Sequence, residues 1–483
     1  MAKKENNEEK NLLGVTVKKE ENLPEWYEQV VLKAELADFA PIKGFMIIRP
    51  NGYSLWEGIQ EKFNAQIKKL NVRNAYFPVL IPESYFKKEA EHAKGFAPEL
   101  AWIQSKPGDE ERYAIRPTSE TMIHDSFSKW VRSHRDLPLR VNQWCNVLRW
   151  EVKQTKMFLR SREFLWQEGH CVYASKKEAD KEVLLFLDEY KKLMEEELAI
   201  PVYTGYKTEA EKFAGALYTT SLEALMPDGK ALQMGTSHNL GQGFSKAFNV
   251  KFTGEDEKEN YAWLTSWGIS TRLIGAIVMV HGDNKGLIVP PRIAFNKLVM
   301  IPILIKGKEK EVLNEIKKLK KKLENFNPIL DERENYSPGF KFSEWELKGI
   351  PVRLELGPKD IEKNQAVLVR RDSGEKKFVG MEKIESELIK LLGEIHHSMF
   401  NKAKKFLNEN TFEAKNEKEL IKGIEEGKMV LISFCEEPEC EAKFKEKTAA
   451  TSRVIPFNQE EKKTKCVLCG NEAFRKTFFA KNY

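Results

Sequence analysis

Long apolar runs are missing from this sequence. The longest, LVMIPILI at residues 298–305, falls well short of the roughly 20 residues that a helix needs to cross a bilayer. The amino-terminal stretch MAKKENNEEKNLLG is polar and lacks the apolar segment of a secretory signal. These absences argue against a membrane or secreted protein, and we expect a cytoplasmic chain with no membrane partner.

Cysteine is scarce, with six residues in the chain, and four of these follow residue 430. In a reducing compartment such a cluster favours a metal over disulfides. The spacing is Cys435-x4-Cys440, then 25 residues, then Cys466-x2-Cys469. Two close pairs separated by a loop suit a tetrahedral Zn²⁺ site with four thiolate ligands, and we predict a structural one because the protein fills all four positions. Cys145 and Cys171 are expected to be buried, inert thiols.

A strong surplus of one charge is also absent. The net charge of +6 over 483 residues is too small to identify a polyanionic partner. The length suggests roughly two to four domains. Residues 1–22 are expected to form a loose arm, VPPRIAF at 289–295 a linker, and the residues after it a small α/β unit. We therefore expect divisions at 1–22, 23–288, 289–400 and 401–483.

One segment, LRWEVKQTKMFLRSREFLWQEGH at 148–170, carries many charges within a predicted hairpin of strands near 139–152 and 162–174. Period-two alternation places Arg149 and Glu151 on one strand face, and it aligns the alternate residues 162–170 on one face of the next strand. The opposite faces carry Leu148, Trp150, Val152, Leu165 and Cys171, which suit a core. Such arginines and aromatic rings can hold a phosphate chain and a base. A surface hairpin with cross-strand ion pairs is the alternative from these residues alone.

Further motifs resemble those of class II aminoacyl-tRNA synthetases. Arg149-Trp150-Glu151 matches the Arg-x-Glu of the second motif, Arg272 the arginine of the third, and Pro78 the proline of the first. Longer segments resemble prolyl-tRNA synthetases of the archaeal/eukaryotic-like form: RPTSET (116–121), REFLWQEGH (162–170), QMGTSHNLGQ (233–242), SWGISTR (266–272) and ELGPKD (355–360). The resemblance runs from about residue 20 to Tyr483. The third motif departs from the glycine-rich form, since only Gly268 precedes ISTR.

The resemblance implies an α+β fold, with an antiparallel catalytic sheet (23–288), an α/β anticodon-binding domain (289–400) and a small zinc domain (401–483). It implies ligation of L-proline to tRNA(Pro) through a prolyl-adenylate, with ATP and Mg²⁺. Arg149 and Arg272 are the implied catalytic residues. The implied proline-binding residues are Thr118, Glu120, Arg149, Trp166, Glu168 and His238. The implied ATP-binding residues are Arg149, Glu151, Arg160, Phe164, Gln233, Thr236, Ser270 and Arg272.

Ordinary structural roles remain open for several of these residues. Thr118 suits a helix cap, Trp166 a core position, and His238 a buried histidine with satisfied hydrogen bonds. Gln233 has the wrong strand parity to share a face with Thr236 and His238. A β-bulge at Gly235 would bring it to their side.

The remaining expectations concern the rest of the chain. By resemblance Glu346, Arg353 and Lys359 would read the anticodon, with exposed strand charges as the alternative. About 60 residues separate His170 from Gln233, too few for an inserted editing domain. A helix at 51–70, with Asn51 as N-cap, resembles the homodimer interface of the family. Phe478, Phe479 and Tyr483 suggest a tail that docks near the active site.

Two other functions fit the sequence less well. Threonyl-tRNA synthetase holds its amino acid on a zinc ion bound by one cysteine and two histidines, and the catalytic-domain cysteines here do not match that ligand position. A synthetase-like RNA-binding protein would have no need for the nucleotide ligands Arg149, Glu151 and Arg272. The sequence therefore favours the prolyl enzyme.

Overall fold

The computed structural model describes residues 14–90 and 99–483, except 105, 107 and 109. A twelve-stranded, mostly antiparallel sheet forms its centre. The strands of its main path are, in spatial order, Thr411–Glu413, Met429–Phe434, Arg475–Asn482, Lys230–Gly241, Trp263–Ser270, Glu163–Tyr173, Leu139–Leu148 and Arg73–Asn74. Four others branch from it: Tyr203–Tyr206, Tyr218–Leu225, Ala450–Ser452 and Ile455–Pro456. Strands from the end of the chain therefore continue the sheet that the earlier strands begin.

Helices bury one face of this sheet. They are Leu23–Lys33, Pro50–Lys69, Lys176–Lys192 and Arg272–His281. On this side the Trp267 ring stacks on Phe186 at a centroid distance of 4.0 Å, and Phe63 stacks on Tyr190 at 4.9 Å. Helices Glu83–Ala90, Glu120–Trp130 and Gly243–Phe248 lie around a smaller core built on Phe127 and Phe248. The sheet between these groups leaves room for a pocket.

The first hairpin consists of strands Leu139–Leu148 and Glu163–Tyr173. Its first strand ends four residues before the predicted boundary at 152. The expectation that Arg149 and Glu151 share a strand face was therefore wrong. After Arg149 N donates to Arg162 O at 2.7 Å, the chain turns, with Val152 N donating back to Arg149 O.

The same early strand end changes the surroundings of Trp150. This residue was expected in the core but is 38% exposed. Its ring instead lies 4.6 Å from the Arg162 guanidinium carbon. Leu148, Val152 and Cys171 are buried as predicted.

The second hairpin consists of strands Tyr218–Leu225 and Lys230–Gly241. The predicted bulge is confirmed, because the pairing register shifts between Gln233 and Gly235. Met234 is the extra residue and packs into the core. Gln233 thereby reaches the same side as Thr236 and His238.

The helix predicted at 51–70 spans Pro50–Lys69. The prediction of Asn51 as its N-cap was wrong, because Pro50 occupies the first helical position and Arg49 is the N-cap. Proline suits that position, since its missing N–H has no helical partner there. The Asn51 amide instead donates to Ala34 O at 3.1 Å.

A loose arm was predicted for residues 1–22, and residues 1–13 of it lie outside the described residues. The described part is not loose. Lys19 Nζ donates to Met279 O and Gly282 O, both at 2.7 Å, and Val15 and Val17 pack on the core. This segment is therefore attached at the end of helix Arg272–His281.

A separate five-stranded sheet follows, with strand order Ile329–Leu330, Leu298–Pro302, Val352–Leu356, Gln365–Arg370 and Lys376–Gly380. Its helices are Glu309–Lys322, Pro338–Lys348, Pro358–Glu362 and Ile384–Glu409. This is the expected α/β unit, although the last helix runs through the expected boundary at residue 400. Helices Glu417–Glu425 and Pro438–Thr448 belong to the final segment. No helix in the described part of the chain is both long and apolar enough to cross a membrane.

Candidate active site

A cavity of about 270 Å³, here the central pocket, opens on the face of the sheet between the two hairpins. It is lined by most of the site residues that the sequence singled out: Thr118, Glu120, Arg149, Phe164, Trp166, Glu168, Gln233, Thr236, His238, Ser270 and Arg272. The strand register explains the grouping, since Trp166 lies opposite Ser270 and Glu168 opposite Gly268. Residues distant in sequence thus share one wall.

Two arginines give part of the central pocket a cationic wall. The Arg149 guanidinium carbon lies 5.4 Å from the Phe164 ring and 5.8 Å from the Trp166 ring. Arg272, the first residue of its helix, donates from Nε to Leu159 O at 3.1 Å and from Nη1 to Gln233 O at 3.2 Å. Burial and the neighbouring Arg149 lower the pKa of Arg272 to about 10. Two half-buried guanidiniums close enough to repel each other are suited to an anion.

Two predicted nucleotide residues are not among the lining of this pocket. Glu151 and Arg160 are both exposed, on the loop that joins the strands of the first hairpin. Arg160 instead lines a smaller cavity beside Lys156. Arg160 still contributes to lowering the pKa of Arg272, after burial and Arg149.

Carboxylates also line the central pocket. Thr118 Oγ1 donates to Glu120 Oε2, and both residues are buried. The helix that follows has Ser119 at its N-cap position, so Thr118 is not the cap. Its hydroxyl and the Glu120 carboxylate together offer acceptors to a cationic group.

Glu168 and His170 form a buried pair on the first hairpin. Glu168 is 2% exposed and His170 is 1% exposed. Their Oε2 and Nε2 atoms are 3.1 Å apart, and Glu168 Oε1 accepts from Gln143 Nε2 at 2.9 Å. Burial opposes both charges, but the contact lowers the pKa of Glu168 and raises the pKa of His170. The contact therefore favours the ionic form of the pair.

Trp166 and His238 are held by neighbours on adjacent strands. Trp166 Nε1 donates to Cys145 Sγ at 3.2 Å. Burial raises the pKa of the Cys145 thiol, as Glu168 also does, so this sulfur is a neutral thiol. His238 Nδ1 lies 2.9 Å from Thr219 Oγ1, and burial lowers its pKa to about 3. His238 is therefore a neutral wall of the central pocket.

The sequence interpretation missed part of the lining. The structure adds His170, Glu211, Phe213, Thr219 and Ser266 to the predicted residues. His170 lies on the same strand face as Trp166, so the alternation in the sequence was enough to identify it as a pocket residue. Thr219 can be assigned to the pocket only once the register of the second hairpin is known, because that register pairs it with His238.

The three predicted anticodon residues are only partly grouped. Glu346 belongs to helix Pro338–Lys348, and its Oε1 accepts from Arg353 Nη1 at 3.0 Å. The buried Arg353 also donates to Glu355, and its guanidinium carbon lies 4.0 Å from the Phe342 ring. Lys359 is exposed on the short helix Pro358–Glu362.

The four predicted zinc ligands, here the cysteine quartet, come together. The Sγ atoms of Cys435, Cys440, Cys466 and Cys469 lie within 4.8 Å of one another. Cys435 and Cys469 are 3.6 Å apart at Sγ, and Cys440 and Cys466 are 4.0 Å apart. Zn–S bonds of about 2.3 Å in a tetrahedron give sulfur separations of about 3.8 Å. The donor set therefore fits Zn²⁺.

The aromatic tail docks, as the sequence suggested. Phe478 and Phe479 are buried within strand Arg475–Asn482. Tyr483 Oη donates to Asp228 Oδ2 at 2.7 Å. Lys156, on the loop of the first hairpin, places Nζ 5.8 Å from the Tyr483 ring. The chain end is thus in contact with a loop that borders the central pocket.

Comparison with known families agrees with this architecture. Residues 102–281 match the class II tRNA synthetase core domain of the G, H, P, S and T group. Residues 297–391 match an anticodon-binding domain, and residues 417–483 match the prolyl-tRNA synthetase carboxyl-terminal domain.

Similar proteins extend the match over nearly the whole chain. A proline–tRNA ligase of Natranaerobius thermophilus is 51% identical over 470 residues, covering 96% of this chain and 97% of that protein. Proline–tRNA ligase 2 of Clostridioides difficile is 47% identical, covering 98% and 99%. The proline–tRNA ligase of Cenarchaeum symbiosum is 47% identical, covering 98% and 100%. The chain therefore belongs to the prolyl-tRNA synthetase family of class II aminoacyl-tRNA synthetases.

Proposed function

We propose that this protein ligates L-proline to tRNA(Pro) in two steps, with a prolyl-adenylate intermediate. In the first step a proline carboxylate oxygen attacks the α-phosphorus of ATP, and the bond to pyrophosphate breaks. In the second step the terminal ribose hydroxyl of the tRNA attacks the adenylate carbonyl carbon, and AMP leaves. The observation that carries the proposal is the central pocket, whose lining brings Arg149 and Arg272 together with the carboxylates of Glu120 and Glu168.

Arg149 is the residue proposed to join the two substrates. Its guanidinium lies beside both the Phe164 and Trp166 rings, and we expect it to contact both the proline carboxylate and the α-phosphate. Neutralising charge as it develops is the main catalytic requirement when two anions react in line. Arg272 supplies the second cation, and Phe164 stacks on adenine. Gln233, Thr236 and Ser270 line the nucleotide end, while Glu151 and Arg160 approach from the loop.

Proline selection is assigned to the carboxylates and their neighbours in the central pocket. Thr118 and Glu120 accept hydrogen bonds from the secondary ammonium, while Trp166, Glu168 and His238 shape the ring site. A zinc-held amino acid, as in the threonyl enzyme, fits poorly. Among the described residues that line the central pocket no cysteine accompanies His170 and His238, and Cys145 Sγ accepts a hydrogen bond from Trp166 Nε1.

ATP is proposed to enter with Mg²⁺ bound mainly by its phosphates, as magnesium commonly binds. The cysteine quartet would hold a structural Zn²⁺ that stabilises the final segment when bound. Glu346, Arg353 and Lys359 are the proposed anticodon contacts, and Arg353 would have to exchange its carboxylate partners for a base. We also propose a cytoplasmic homodimer without an inserted editing domain, and domains divided at 1–22, 23–288, 289–400 and 401–483.

Pyrophosphate exchange with each of the twenty amino acids tests the proposal. Labelled pyrophosphate should enter ATP only when proline, or an amino acid small enough for its site, is present. Exchange that depends on threonine alone, or no exchange with any amino acid, would refute the first step. Charging of tRNA(Pro) transcripts then tests the second.

A further inference from the structure

A buried group of charges lies beside the nucleotide end of the central pocket and has no part in the mechanism above. Its centre is Glu223, which is 0% exposed. Lys207 Nζ donates to Glu223 Oε1 at 2.7 Å. Arg453 donates to Glu223 Oε2 from Nη2 at 2.8 Å and from Nε at 3.1 Å. Two buried cations thus share one carboxylate.

This group joins the final segment of the chain to the rest. Arg453 is 3% exposed and lies 230 residues after Glu223. Glu441, which follows the cysteine ligand Cys440, accepts from Thr208 Oγ1 and from Ser452 N, both at 2.9 Å. The helix that carries Cys440 is thereby tied to the strand neighbours of Glu223.

The other side of the group reaches the nucleotide residues. Glu223 lies directly opposite Gln233 in the second hairpin, next to the bulge. Gln233 O accepts from Arg272 Nη1 at 3.2 Å. The charges also act on Arg272: burial and Arg149 lower its pKa, Glu223 opposes that lowering, and Arg453 adds to it. Glu223 is therefore the cross-strand neighbour of Gln233, which is a proposed ATP-binding residue.

Buried charges are an expensive way to join two domains, since apolar residues of similar volume often stabilise as well or better. Their presence here is better explained by a need for fixed geometry. We propose that Arg453 is a positioning residue for ATP: by holding Glu223 it fixes the strand position of Gln233, and through it the orientation of Arg272. The final segment thereby contributes to nucleotide binding without touching the nucleotide. This inference rests on the proposed function, because it assigns ATP to Arg272.

The test is pyrophosphate exchange by the full-length protein, with ATP and proline varied separately. Coupling through one network is typically worth a factor of about 2–30 in affinity. Arg453→Met should raise the KM for ATP by such a factor and leave the KM for proline within about twofold. Arg453→Lys keeps the charge but loses the paired donors, so it should give a smaller increase. Lys447→Met is the control, because it removes an exposed ion pair with Glu417 in the same segment.

A second variant separates positioning from stability. Arg453→Met leaves the Glu223 carboxylate paired with Lys207, and the triple variant Arg453→Met/Glu223→Gln/Lys207→Met removes all three buried charges, so that none is left uncompensated. If the triple variant regains thermal stability and zinc content while the KM for ATP stays raised, the positioning role is supported. If the KM returns to normal together with stability, or if Arg453→Met raises both KM values equally, the inference is wrong. Absence of exchange in the unaltered protein would instead refute the proposed function itself.

Discussion

The Glu168–His170 pair offers a prediction in which charge, stability and substrate binding are linked. Glu168→Gln keeps the shape of the side chain and its capacity to hydrogen-bond Gln143, but it removes the negative charge. His170 then has no anion within the 3.1 Å contact that the structure shows. Truncating one partner of a buried pair costs about 3–5 kcal/mol. Because glutamine still hydrogen-bonds and His170 can lose its proton, we expect the free energy of unfolding to fall by a smaller amount, about 1–3 kcal/mol.

The pH dependence gives the sharper test. The pKa of His170 is raised in the folded protein, so its contribution is full below the ordinary value of 6.5 and is lost as pH rises through the folded value. The pKa of Glu168 is lowered, so its contribution is full above 4.5 and is lost as pH falls through the folded value. The stability difference between the native protein and Glu168→Gln should therefore be largest between about pH 4.5 and 6.5.

Urea unfolding at several pH values measures this difference, and pyrophosphate exchange measures the KM for proline. That KM should rise roughly 10- to 100-fold, since about 1.4 kcal/mol corresponds to each factor of ten. The KM for ATP should change little. Glu163→Gln is a matched control on the same strand, where the carboxylate contacts Asn146 away from the central pocket. A stability difference that does not vary with pH, together with an unchanged KM for proline, would refute the account of the pair.

Three further predictions concern separate features. Metal analysis of the purified protein should find about one Zn²⁺ per chain, and Cys440→Ser should lower both that content and the melting temperature; full occupancy in the variant would argue against the quartet as ligand set. Gly169→Ala should destabilise the protein by at least about 1–3 kcal/mol in urea unfolding, because an added Cβ would lie 2.0 Å from the Trp267 ring; a neutral effect would contradict the packing. Arg272→Ala should raise the KM for ATP about 10- to 100-fold in pyrophosphate exchange, since hydrogen bonds to charged groups are worth about 1.5–3 kcal/mol; an unchanged KM would remove Arg272 from the nucleotide site.

Local patterns predicted the elements that carry the pocket. Alternation placed Trp166 and Glu168 on one strand face. In the structure both side chains line the central pocket, because alternate residues of a pleated strand point to the same side. The glycine at position 235 signalled the bulge that brings Gln233 to the pocket side. Cysteine spacing alone indicated the quartet. These features depend on residues near one another in sequence.

The errors arose where tertiary contacts override local pattern. Alternation continues past Leu148, but the chain turns after Arg149, so Trp150 stacks on Arg162 at the surface instead of entering the core. Nothing local marks the union of the final strands with the central sheet. The Glu223–Arg453 pair joins residues 230 positions apart and could not be found before the strands were placed. Expectations for Glu346, Arg353 and Lys359 stay predictions.

A crystal structure with a stable, non-hydrolysable mimic of prolyl-adenylate is the most direct test of the central pocket. The account predicts the pyrrolidine ring against Trp166 with its nitrogen near Thr118 and Glu120. The phosphate mimic should contact Arg149, and the adenine should lie on Phe164. Density for the mimic at any other site, with the central pocket unchanged, would contradict it.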